Sequence, residues 1–161
     1  MRVAILPTGR LEWEALPRAL QHIFPHADFY ALPTPTEVET QQAIAFPAPS
    51  FTSCDATRLR GAENNADKLL QRAAAEAVGD RSRDAADLVV IVDDLELVNL
   101  HQPAAVVAIM REAAQRHLAR LANNQRAATR HQAALRERVS FHLAKPMIEG
   151  WFFADPQIGR A

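Results

Sequence analysis

Two kinds of apolar pattern alternate along this chain: short continuous runs, and longer stretches in which apolar residues recur every three or four positions. Arg2-Val-Ala-Ile-Leu6 is a run closed by Pro7-Thr8-Gly9, which predicts a buried first strand and a tight turn. From Leu11 onward, Trp13, Leu16, Leu20 and Ile23 fall at helical spacing. That helix should end near Phe24-Pro25, because proline disfavours helical geometry in the residue before it. Ala27-Asp-Phe-Tyr-Ala-Leu32 reads as a second strand. Residues 33–60 carry Pro33, Pro35, Pro47 and Pro49 among scattered Thr and Ser, which predicts one long loop. Loops of that length within a domain are usually functional or mobile.

The pattern then returns. Gly61 to Gly79, with Leu69, Leu70, Ala73 and Ala77, reads as a helix stopped by its final glycine. Asp87-Leu-Val-Val-Ile-Val92 is the clearest strand, and its unbroken β-branched character predicts burial on both faces, as in a central parallel strand. Pro103 suits the first turn of a helix, and Val106, Met110, Ala113, His117 and Leu121 give that helix an apolar stripe. Asn123-Asn124 breaks it before a second helical stretch through Arg136. Arg138 to Ala144 alternates as a fourth strand, and Pro146 opens a last helix over 147–154.

This order predicts one α/β domain spanning residues 1–161, with a mostly parallel central sheet of about four strands and helices on both faces. Ligands of such sheets gather beyond the carboxyl ends of the strands. Two of those ends are polar here: Thr8-Gly9 after the first strand, and Asp93-Asp94-Leu95-Glu96 after the third.

Composition narrows the chemistry. The formal net charge is −1, so any contact with nucleic acid must come from a local patch or a metal rather than from a global field. One cysteine, Cys54, excludes an internal disulfide framework and a cysteine-based zinc cluster. No apolar run approaches the ~20 residues that cross a bilayer. Pro7, Gly9 and Arg10 interrupt the N-terminal run too early for a signal peptide. A cytoplasmic setting and no membrane partner are expected. The Arg-over-Lys and Ala bias is compatible with a GC-rich bacterial source.

Three carboxylates within four positions repel one another, which raises a pKa or calls for a cation. Mg²⁺ or Mn²⁺ suits Asp93, Asp94 and Glu96, since Mg²⁺ takes one or two carboxylates and keeps water and phosphate as its other ligands. A solvated acidic turn is the plain alternative. Glu12 and Glu14 stand inside the first helix, where its dipole favours acids; if the first and third strands are neighbours, Glu12 also reaches the Asp93 cluster. Glu149, on the last helix, either faces the site or pairs with Lys145 or an arginine, and Trp151, Phe152 and Phe153 read mainly as core. The six histidines show no ligand spacing. Seven arginines between His101 and Arg138 either contact phosphates or form a solvated helical face. No P-loop, dinucleotide, serine-hydrolase or zincin motif is present.

Three segments together resemble one family. They are Val3-Ala-Ile-Leu-Pro-Thr-Gly-Arg-Leu-Glu12, Val89-Val-Ile-Val-Asp-Asp-Leu-Glu96, and Phe141-His-Leu-Ala-Lys-Pro-Met-Ile-Glu-Gly-Trp-Phe-Phe-Ala-Asp155. They are similar to the Toprim-like proteins of domain-of-unknown-function family 4276, most specifically in the Pro-x-x-Glu-x-Trp-(apolar)₂-Ala-Asp pattern of the last segment. The resemblance implies the Toprim fold of topoisomerases, primases and overcoming-lysogenization-defect nucleases. There, a glutamate after the first strand and a DxD motif after a later one support Mg²⁺-dependent phosphodiester chemistry. The DxD counterpart here is either Asp93 with its neighbour or Asp94-Leu95-Glu96. The family's Glu-Gly pair aligns with Thr8-Gly9, leaving Glu12 as the nearest acid, so that Glu12 either substitutes as ligand or base or the domain binds without cutting.

The resemblance therefore implies a metal-dependent nuclease with Glu12, Asp93, Asp94 and Glu96 as metal ligands. Glu12, Asp94, Glu96 and Glu149 would be its catalytic or supporting groups. Its alternative is a catalytically silent module that docks a partner protein or a nucleotide. It also implies an AAA-type ATPase partner in a prokaryotic defence system, and a family domain whose C-terminal end lies beyond this chain.

Overall fold

Four strands lie parallel in one sheet, β1 (Arg2–Pro7), β2 (Asp28–Ala31), β3 (Leu88–Asp94) and β4 (Val139–Ala144), in the order β2-β1-β3-β4. The computed structural model describes residues 1–39, 52, 55–56, 62–79 and 84–145. Its principal helices are α1 (Arg10–Ile23), α2 (Pro35–Glu39), α3 (Ala62–Val78), α4 (Pro103–Arg120) and α5 (Gln125–Arg138). The expected α/β alternation is present, and the sheet is parallel throughout. The helix expected over 147–154 lies outside the described residues, as does most of 33–60.

The strand order dictates which face each helix covers. Crossovers between parallel strands are right-handed, so a chain that steps one way from β1 to β2 and the other way from β2 to β3 and β4 must place its helices on opposite faces. Accordingly, Leu16 and Leu20 of α1 pack with Val3 and Ile5 on one face. Leu69, Leu70 and Ala73 of α3, Val106, Ile109 and Met110 of α4, and Ala134 of α5 pack with Ala4, Leu6, Val89 and Ile91 on the other.

Burial on both faces belongs to β1 rather than to β3. Val3, Ala4, Ile5 and Leu6 are all buried, whereas in β3 only Val89, Ile91 and Asp93 are, and Leu88, Val90, Val92 and Asp94 alternate with them half-covered. The reason is placement: α1 packs on β1 and β2, and its cover thins out over β3.

A second correction concerns the proline-rich stretch, which opens with a helix instead of continuing as loop. Pro35 fixes φ at a value suited to a first helical turn, and Thr34 and Glu37 form a reciprocal capping box. The Glu37 amide donates to Thr34 Oγ1 (3.3 Å), and the Thr34 amide donates to Glu37 Oε2 (2.8 Å). Elsewhere the expected boundaries hold within a few residues. Pro103 opens α4, Asn124 caps α5 by accepting from the Ala127 amide (3.1 Å), and Gly79 closes α3 at φ 65°, with its amide donating to Ala75 O (2.9 Å).

Candidate functional site

The sheet reverses its direction of growth between β1 and β3, which makes their carboxyl ends the switch point where ligands of open α/β sheets bind. The two strands end in register, Pro7 beside Val92, and the Thr8 amide extends the ladder by donating to Val92 O (3.1 Å). One residue further on, the Thr8 hydroxyl donates to Oδ1 of Asp93. Asp93 is 1% exposed.

Gly9 is the N-cap of α1, and Glu12 occupies the third helical position, from which an acid reaches back over the first turn. Its carboxylate lies against Gly9 so closely that a Cβ there would come within 1.8 Å of Oε2 and 2.6 Å of Cδ. A larger residue there would require the end of the Glu12 side chain to shift. Glu12 is 3% exposed, so it is no solvated helix-dipole acid; Glu14, beyond the first turn, is exposed and pairs with Arg10 at 3.0 Å on the surface. The Thr8-Gly9 turn therefore touches two buried carboxylates, Asp93 of β3 through the Thr8 hydroxyl and Glu12 of α1 against Gly9. Oε1 of Glu12 and Oδ2 of Asp93 are shut off from solvent and accept no hydrogen bond, although both side chains make other contacts.

Asp94 and Glu96 are arranged differently. The cluster read as a strand end followed by a turn, but β3 continues through Asp94 because Asp93 and Asp94 pair with Leu143 and Ala144 of β4. Successive strand residues face opposite sides, so Asp94 is half-buried on the face away from Asp93. Glu96 is half-buried where the chain turns, and its carbonyl accepts from the Asn99 amide (2.8 Å). Among the described residues no three His, Cys, Asp or Glu side chains converge as a metal-holding group. Glu149 lies outside the described residues, with the segment that carries the most specific family pattern.

Sequence reasoning missed the polar network behind this corner. Asn99, fully buried in a 3₁₀ turn (Leu97–Asn99), donates from Nδ2 to Thr52 O (2.6 Å). Its Oδ1 accepts from the Ala56 amide (2.8 Å) and from Gln102 Nε2 (2.9 Å). Gln102 also donates to Asp55 Oδ1 (3.2 Å), and the Thr52 hydroxyl donates to Asp94 O. These bonds fasten Thr52, Asp55 and Ala56 to the carboxyl end of β3. The signal available was an asparagine inside the apolar run 95–100.

The arginine-rich stretch is largely committed to structure. Arg116 and Arg120 both donate to Asp67 of α3. Burial pushes the Asp67 carboxyl up, but the two guanidiniums outweigh that and hold it below the ordinary aspartate value. Arg130 donates to Val78 O (3.3 Å) and Gly79 O (2.9 Å), and Arg138 to Ala77 O (3.4 Å), placing cations on the electronegative end of α3.

Two buried carboxylates beside one turn are a donor type that a hard divalent cation takes, although among the described residues no third acidic or histidine side chain joins them. Two carboxylates are what Mg²⁺ takes from a protein when water and phosphate complete its shell, and buried like charges are stabilised by a cation. Glu12 and Asp93 are the residues that would hold it. No protein-family model, curated protein or solved structure matches the chain. No helix among the described residues is long and apolar enough to cross a membrane.

Proposed function

We propose that this chain is a Toprim-like domain that binds Mg²⁺ or Mn²⁺ at the β1–β3 corner and cleaves phosphodiester bonds of nucleic acid, in a bacterial, cytoplasmic defence setting. The observation that carries this reading is the burial of Glu12 and Asp93 on the single turn Thr8-Gly9, at the switch point of a parallel sheet. A divalent ion held there supplies Lewis acidity toward a phosphoryl oxygen and stabilises charge developing on it. The chain's own residues supply position. Thr8 orients Asp93 through its hydroxyl, Gly9 makes room for the Glu12 carboxylate, and Asn99 holds Thr52 and Ala56 near Asp94. Asp94 and Glu96, at the same strand end, are further candidate ligands through water, and Glu149 a candidate support.

A second reading is favoured by one observation. Thr8 stands where the family it resembles carries a glutamate, and its hydroxyl already engages Asp93. A corner so occupied suits a silent module that docks a partner protein, such as an AAA-type ATPase, or a nucleotide.

Mn²⁺ titration by calorimetry, with nuclease assays on single- and double-stranded DNA and RNA, separates the two. The nuclease reading expects binding and cleavage in the wild type, with both lost in Asp93→Asn and Glu12→Gln and weakened in Asp94→Ala and Glu96→Ala. Absence of Mn²⁺ binding, with cleavage equal in wild type and Asp93→Asn, overturns it in favour of the docking module.

A further inference from the structure

We propose that His117 and His131 form a proton-operated latch that fastens α5 to α4 and lets it go on acidification. The pair stands apart from the β1–β3 corner and does not depend on what that corner does.

The geometry begins with how little else holds α5. Among its described residues only Ala134 is buried, so hydrophobic burial gives this helix a weak anchor. Besides the half-buried Leu135, which packs against the core, polar contacts hold it: Arg130 and Arg138 on the last carbonyls of α3, and a direct contact between two imidazoles. His117 Nε2 and His131 Nδ1 lie 2.9 Å apart, with ring centroids at 5.0 Å and planes tilted by 44°. Both rings are half-buried. At that distance one nitrogen must carry a proton and the other must not, because a neutral imidazole offers one donor and one acceptor.

Proton count decides the state of the latch. The neutral pair makes one N–H···N bond. A first added proton can sit on the ring that donates and leave the bond in place. A second makes both facing nitrogens donors, so the bond is lost and two cations face each other at contact.

The surroundings oppose even the first proton. Burial holds His117 below the ordinary histidine value, helped by His131 and Arg120, while Asp67 of α3 pulls the other way. That carboxylate is already bound by Arg116 and Arg120, and Arg116 also faces Glu112 at 3.7 Å. Burial likewise holds His131 down, with Arg130 adding to it. The same cations argue against a metal ion on the two rings.

His131 also lines a groove of about 610 Å³ between the end of α3 and the start of α5, beside Asn124, Arg126 and Arg130. Letting go of α5 opens that groove and strips cover from Leu135 and from β4, against which α5 packs.

The test uses the full chain. Ring resonances of the histidines are followed by NMR from about pH 8 to about pH 5, the range over which histidine changes charge. Amide exchange of α5 is measured at both ends and corrected for its intrinsic pH dependence. The latch predicts that the two rings titrate as a coupled pair, below the ordinary value, with the opening of α5 following the second proton. The opening equilibrium of α5 should rise about tenfold for each pH unit by which they are held down, ahead of any change in β1 or β3. His131→Gln and His117→Gln should flatten this response, and His142→Gln, at an exposed residue of β4, should leave it intact. Independent titration of both rings at the ordinary value, or α5 exchange unchanged between the two pH values, overturns the proposal. Should a glutamine variant not fold, the wild-type titration and exchange decide alone.

Discussion

The hydroxyl of Thr8 donates to Oδ1 of Asp93, joining the ends of two adjacent parallel strands at the point where the sheet changes direction. Asp93 is 1% exposed, so this bond helps to compensate its charge inside the protein. Thr8→Val keeps the shape of the side chain and removes the donor. The expected loss is about 1–3 kcal/mol, the cost of stripping a partner from a buried acceptor. Urea unfolding measures it. In an Asp93→Ala background the same substitution should cost far less, because coupled residues do not add; equal losses in both backgrounds would deny the coupling.

The capping box of α2 gives a second measurable pair. Thr34→Ala should cost about 1 kcal/mol, as the loss of a helix cap usually does. Glu37→Ala should cost more, because Glu37 Oε1 and Oε2 also accept from Arg72 Nη2 at 2.7 and 2.8 Å. Thermal unfolding of the two variants side by side tests that order. Equal losses would mean that the Arg72 pair, about one-third exposed on the arginine side, contributes little.

Much of the fold was legible because its signals are local. The runs at Val3–Leu6 and Leu88–Val92 have no other reading than strands, and Pro103, Asn124 and Gly79 punctuate the helices where their backbone chemistry requires. The missed helix was also written locally, as Thr34-Pro35-Thr36-Glu37, but four prolines in the stretch outweighed it. The end of β3 was misjudged because aspartate is disfavoured in strands; pairing with β4, a tertiary fact, carried the strand through Asp94. Of the candidate site, the acids were visible and their grouping was not. Which of Asp93 and Asp94 faces the Thr8 hydroxyl depends on strand parity, and the burial of Glu12 depends on how the first turn of α1 folds over Gly9. The His117–His131 contact joins residues on two helices and has no sequence signature.

Asn99 makes a prediction about the segment it fastens. Asn99→Ala leaves Thr52 O and the Ala56 amide without their side-chain partner, at about 1–3 kcal/mol for each buried group left unsatisfied. Asn99→Asp separates the two roles, since a carboxylate accepts from Ala56 and Gln102 but cannot donate to Thr52 O. Both variants should increase proteolysis near residues 52–56 while the secondary structure is retained. Unchanged protease resistance would show that these bonds do not hold the segment.

Tyr30 is the chain's one tyrosine, so its ionisation can be followed by ultraviolet absorbance without interference from another phenol. Burial raises its pKa, and the Glu76 carboxylate adds to this by accepting its proton at 2.7 Å and by its charge. Arg2, 5.3 Å over the ring, acts in the opposite sense. A group whose folded pKa lies above its unfolded value contributes stability that is complete below about 10, the ordinary value for tyrosine, and is lost as pH rises beyond it. The native protein should therefore show no phenolate near pH ~10. Its stability should fall in alkali, and Tyr30→Phe should lose that alkaline dependence. Phenolate appearing at the ordinary value while the fold is intact would contradict the buried hydrogen bond.

Asp67 decides how the arginine-rich helices meet a polyanion. It holds Arg116 and Arg120 against α3, so these two guanidiniums are occupied in the native protein and are poor candidates for phosphate contacts. Two arginines on one carboxylate also depress its pKa, so this triad adds stability above the unfolded aspartate value of about 4, lost as pH falls through the lower folded value. Asp67→Asn removes the charge while keeping the shape. It should lower stability at neutral pH and abolish that acid dependence, and it should release Arg120 toward solvent while Arg116 keeps its contact with Glu112. Retention on a heparin column should then increase, with a steeper salt dependence, because each cation made available adds to counterion release. Arg116→Gln and Arg120→Gln in the wild-type background should leave retention nearly unchanged while weakening the fold. If instead they reduce heparin binding as much as they reduce stability, the guanidiniums face the polyanion, and the arginine stretch is a nucleic-acid surface rather than a structural clamp.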